Sequence, residues 1–179
     1  AWMAVATALI TAVATLVGVL ISSYSSDRRL KLQLHHERDE KRRDYNISRL
    51  ENMYIRLGKF IVAFGSTGLS YMRVMDGSLT YNQALDIEIK SASSKDVGFD
   101  QVEMTVDLHF PSLRPHYDEL IVERTKVNEL IGAHKQAYLE GRNAEVGEQF
   151  FDLTSAALDD FEAVGKKFRD AIQKISSTL

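Results

Sequence analysis

Five histidines and pairs of adjacent carboxylates are the side chains in this sequence that could do chemistry. His35-His36-Glu37 looks like a metal cluster by composition. Adjacent helical residues point about 100° apart, so one ion cannot easily take both imidazoles. Zinc-binding helices place histidines at i and i+4 beside a carboxylate. No two histidines here have that spacing. Solvated residues on a charged helix are the better reading. His109 and His116 flank Pro111 and Pro115 and could approach each other, but a turn or surface role explains them better. His134 falls on an apolar helical face, where a packed and hydrogen-bonded imidazole is commoner than a ligand.

Paired carboxylates occur at Asp118-Glu119 and Asp159-Asp160. Glycoside hydrolysis or a hard-metal site needs carboxylates facing one another across a cleft. These lie beside the core positions of amphipathic segments, which makes them solvated helix faces. The sequence has no Gly-rich phosphate loop, nucleophile elbow, kinase signature or zincin motif. It has no cysteine, hence no disulfide and no thiolate zinc site. The reading is therefore of a non-enzymatic protein without metal or cofactor.

The elements that carry these residues are helical. Only 2 prolines and 10 glycines occur in 179 residues, which favours long helices over a turn-rich β fold. Ile47, Leu50, Tyr54, Leu57, Ile61 and Phe64 recur at spacings of three and four, an apolar seam on one helix face. The seam extends through Leu69, Met72 and Met75 and stops at Asp76-Gly77. Thr80 to Ser94 reads as a shorter helix capped by Thr80 or Ser78, followed by a polar linker. Val102 to Phe110 alternates like a strand, but a lone strand has nothing to pair with. The helical alternative uses Phe99, Val102, Val106 and Phe110, and it is the one adopted.

Phe110-Pro111 must interrupt the chain, and Pro115 suits a first helical turn. The next helix runs to about Glu140 on a face of Tyr117, Leu120, Arg124, Val127, Ile131, His134 and Tyr138. The last runs from about Ala144 to Ser176. Its face is Val146, Phe150, Leu153, Ala157, Phe161, Val164, Phe168, Ile172 and Ile175. An all-α, antiparallel up-down bundle is the simplest way to bury these faces.

The first stretch, Ala1 to Tyr24, contains no charged side chain and is long enough for a bilayer core of about 30 Å. Seven basic residues follow it: Arg28, Arg29, Lys31, Arg38, Lys41, Arg42 and Arg43. By the positive-inside rule the expectation is a single-pass transmembrane helix, N-terminus outside, in an inner membrane. The helix then continues into a cytoplasmic helical domain. The expected divisions are a span over 1–24, a charged juxtamembrane helix over 25–46 and a bundle over 47–179. Small residues at Ala4, Ala8, Thr11, Thr15, Gly18 and Ser22 line one side of the span, a face suited to packing on another membrane helix.

Charge is unevenly distributed. Residues 25–59 carry ten Lys/Arg against six Asp/Glu, whereas residues 60–179 carry twelve against nineteen. The acidic distal part disfavours nucleic acid as a direct partner. The expected partners are a lipid bilayer and either further copies of the chain or another protein.

The layout resembles a broad set of uncharacterised bacterial membrane-anchored helical proteins, on the stretches LITAVATLVGVLISSYSSDRRLKLQLHHERDEKRR and LHFPSLRP. That resemblance implies an all-helical fold, with helix before Phe110. It also implies a membrane effector of a bacterial antiviral defence cassette, acting by oligomerisation or permeabilisation. The alternative expectation is a membrane-tethered ligand sensor or enzyme with a pocket near Phe110–Tyr117.

Overall fold

The computed structural model describes the backbone of residues 2–92 and 98–179, and the side chains of 22–24, 28–90 and 98–179. The chain is all-helical: α1 is Trp2–Met75, α2 Tyr81–Ala92, α3 Phe99–His109, α4 Arg114–Leu139 and α5 Asn143–Ser176. A 3-10 turn, Pro111–Leu113, joins α3 to α4. Among the described residues there is no strand. The chain divides into two units, residues 1–45 and residues 46–179.

Among the described residues no helix is long and apolar enough to cross a membrane. This overturns the expected transmembrane helix and single-pass anchoring, and with them the inner-membrane placement. From Arg28 onward α1 is charged every few residues and every side chain through Tyr45 is exposed, a surface that water solvates and lipid does not. Arg28, Arg29, Lys31, Arg38, Lys41, Arg42 and Arg43 are all exposed on it. His36 pairs with Glu40 one turn on, at 3.3 Å. The side chains of Ala4, Ala8, Thr11, Thr15 and Gly18 lie outside the described residues, and Ser22 is exposed.

Local chemistry sets the boundaries in the second unit. Gly77 adopts φ +81°, the left-handed region that ends a helix, and its N–H donates to the Val74 carbonyl at 3.1 Å. Thr80 and Gln83 form a reciprocal cap on α2. The Thr80 N–H donates to Gln83 Oε1 at 2.8 Å, and the Gln83 N–H donates to Thr80 Oγ1 at 3.3 Å. In α3, Val102 and Val106 are fully buried while Met104 and Leu108 are exposed. The inward period is therefore four rather than two, as a helix requires. Pro115 sits in the first turn of α4, where the missing N–H has no helical acceptor to lose.

Packing within this unit is antiparallel. Along α1 and α5, Tyr54 meets Arg169, Ile61 meets Gly165, Gly68 meets Leu158 and Met75 meets Gly147. Along α4 and α5, His116 meets Phe168, Glu119 meets Lys167 and His134 meets Phe150. Two short helices cover the remaining side. Tyr81 of α2 packs on Tyr71, and Phe99 of α3 stacks between Phe60 and Tyr117.

The apolar core occupies the α3 end. Leu50, Met53 and Leu57 meet Val102, Val106, Leu120, Phe161, Phe168 and Ile172 there. Of the anticipated seam, Leu50 and Leu57 are buried, Tyr54, Ile61 and Phe64 pack partly buried against the core, and Ile47 is half-buried. Leu69 and, on α5, Leu153 are exposed instead. Thr154 takes the inward position beside Leu153.

Glycines bring α1 and α5 close. A Cβ on Gly147 would overlap the Met75 carbonyl oxygen, and one on Gly68 would lie 2.8 Å from Leu158 Cδ2. Gly132 on α4 has nothing within 4 Å of that position. Gly132→Ala should therefore stabilise the protein by roughly 0.5–1 kcal/mol, the helix-propensity gain. Gly147→Ala should destabilise it by about 1–3 kcal/mol, because a backbone carbonyl cannot rotate away. Denaturant unfolding of both variants measures this; a gain in both would show that the helices are not in close contact at Met75.

Candidate functional site

At the α2 end the interior is polar. His134 is fully buried on α4. Its Nε2 lies 2.7 Å from Asn143 Oδ1 and its Nδ1 lies 2.9 Å from the Tyr81 hydroxyl. An amide oxygen only accepts, so Nε2 donates. The Tyr81 hydroxyl, which meets Nδ1, also lies 3.3 Å from the Ile131 carbonyl. Asn143 Nδ2 donates to the Val74 carbonyl at 3.5 Å. One imidazole thus links α4, α2, α5 and the end of α1, and every strong polar group it carries is satisfied.

Beside this network lies a cleft of about 430 Å³, lined by Phe64, Tyr71, Tyr81, Glu88 and Lys135 among others. The Tyr71 hydroxyl donates to Glu88 Oε2 at 2.6 Å. Burial, then the hydrogen bond to Glu88 and its charge, pushes the Tyr71 phenol up to about 12. Burial chiefly, with the neighbouring Tyr71 and Tyr138, raises Tyr81 as well.

A second concavity runs along the outer side of the α1–α5 contact. Its successive stretches enclose about 360, 530 and 380 Å³. The α1 wall carries Ile55, Val62 and Leu69, which are 55%, 70% and 58% exposed. They recur every seven residues, so they form one stripe. The α5 wall carries Asp159, Glu162, Lys166 and Arg169. Arg169 lies with its guanidinium 4.2 Å from the centre of the Tyr54 ring, and its buried Nε has no hydrogen-bond acceptor. Among the described residues, none of these four forms an ion pair within 4 Å. Ile55 and Val62 stand in the sequence one position round from the seam, which draws attention away from them, and Leu69 was counted in the seam itself.

The other anticipated chemistry is dispersed. His35, His36 and His109 are exposed, and His116 stacks on Phe168 at 6.1 Å. Asp118 accepts from Arg114 Nε at 2.8 Å, and Glu119 faces Lys167 at 3.6 Å. Asp159 and Asp160 are exposed on α5. In the stretch expected to hold a pocket, Phe110, Leu113 and Tyr117 are buried in the core. Arg114 joins Asp107 at 2.7 Å and Asp118 at 2.8 Å, pinning the turn between α3 and α4. Among the described residues no group of histidine and acidic side chains could hold a metal ion. Compared with protein-family models, curated proteins and solved structures, the chain matches none.

The tyrosines make stability fall at alkaline pH. Between pH 10 and about 12 an unfolded chain loses the Tyr71 proton while the folded chain keeps it, so rising pH favours unfolding. Below pH 10 both states are protonated and the contribution is constant. Tyr71→Phe should leave stability at pH 7 lower by about 1 kcal/mol, from the lost bond to Glu88, and flatten the decline above pH 10. Unfolding midpoints from pH 7 to 12 test it; an unchanged alkaline slope would place Tyr71 in water.

Proposed function

We propose that this protein is a non-enzymatic interaction module whose working surface is the groove between α1 and α5. The observation that carries the reading is the exposed row Ile55, Val62 and Leu69 beside Arg169, which lies over the Tyr54 ring and has no ion-pair partner among the described residues. Scattered exposed apolar residues need no explanation, but an aligned row rimmed by charge does. Arginine held over an aromatic ring loses little freedom when a partner binds, and such residues dominate interface energetics. Both walls are long helices packed through glycine, so the surface is rigid before a partner arrives.

The test is native size in a lysate of the cells that make the protein. The chain should run in a complex well above its own 20.2 kDa. Val62→Asp, at an exposed position, should release it from that complex without lowering its unfolding temperature. Migration at single-chain size from the start, or a complex indifferent to Val62→Asp, would refute the reading.

A further inference from the structure

We propose that the groove is filled by a second copy of the chain, docked antiparallel about a two-fold axis through Val62. This rests on the interaction reading above and names its partner. The surface is self-complementary.

A two-fold axis that reverses α1 places each residue opposite the one equally far beyond Val62. Ile55 then faces Leu69 of the second copy, and Val62 faces Val62, which closes the exposed stripe on itself. Gly58 and Gly65 fall between the large residues and let the two helices approach. Eleven residues on either side of the axis stand Glu51 and Arg73, both exposed, so the pair forms twice, once on each side of the axis.

The same axis acts on α5. Ile61 lies across from Gly165 and Gly68 across from Leu158, so Val62 is level with Val164. Reversal about that level brings Glu162 to Lys166 and Asp159 to Arg169 of the second copy. The α5 row is acidic at one end and basic at the other, which a two-fold axis turns into four cross pairs. Asp170, one residue past Arg169, finds no partner in this arrangement. Such an isologous contact closes after two copies. Charge pairing of this kind fixes register and orientation more than it adds affinity.

The chain has no cysteine, so Val62→Cys in the full chain puts one thiol at the axis. Mild oxidation should convert most of it to a disulfide-linked dimer. Leu139→Cys, equally exposed at 70% on α4, should stay largely unlinked. Equal linkage at both positions, or none at Val62, would overturn the arrangement. Glu51→Arg and Arg73→Glu should each weaken the dimer about three- to tenfold, and the double exchange should restore it. No change in either single variant would overturn the register. If the purified chain is monomeric while Val62→Asp still breaks a complex in the lysate, the second copy is refuted and the interaction reading stands. If neither effect is seen, both fall.

Discussion

Close contact between the 46–75 part of α1 and α5 is the constraint on which the rest of this unit depends. Gly68, Gly147 and Gly165 each sit where a side chain would strike the other helix. A glycine inside a helix costs about 1 kcal/mol relative to alanine. Three are retained because they let two helices lie backbone to side chain over several turns. That approach sets which faces remain. The inner faces of both helices close on α3 and α4 to form the core, and the outer faces leave a long shallow groove. Ile55, Val62 and Leu69 are exposed because the tight pair has no room to turn them inward and no further helix among the described residues covers them.

The two ends of this unit are stabilised differently. At the α3 end Leu57, Val106, Leu120 and Phe168 lose all contact with water, and removing apolar area is what holds them. At the α2 end a fully buried imidazole takes the central place. It is tolerated because Asn143 and Tyr81 satisfy both ring nitrogens. Hydrogen bonds demand direction where apolar contacts do not. The His134 network thus fixes the angle of the short helix α2, which has a weak apolar claim of its own: Leu85, Ile87 and Ile89 are all exposed.

Much of this was legible in the sequence, for identifiable reasons. Helix periodicity located α4 and α5 to within a residue or two, since both carry long uninterrupted stripes. The Thr80 cap, the Asp76-Gly77 stop and the Phe110-Pro111 break follow from local chemistry and hold. Rejecting a strand at Val102–Phe110 needed only the absence of a pairing partner. Rotation about a helix axis was less legible. Leu153 and Leu69 point outward and Thr154 inward, because glycine contacts set the register of α5 against α1 and hydrophobicity does not report them. His134 could be placed on an inner face, but Tyr81 and Asn143 come from other helices and no spacing links them to it. The uncharged first stretch spoke for a membrane span, whereas among the described residues no helix is long and apolar enough to cross a membrane.

If the α1–α5 surface exists to pair two copies, mass must depend on concentration and on one exposed valine. Sedimentation equilibrium of the full chain measures this directly. The expected result is a rise from one chain to two with increasing concentration for the native sequence, and a single-chain mass throughout for Val62→Asp. A dimer that persists in Val62→Asp, or a native chain that stays single at every concentration, would contradict the account.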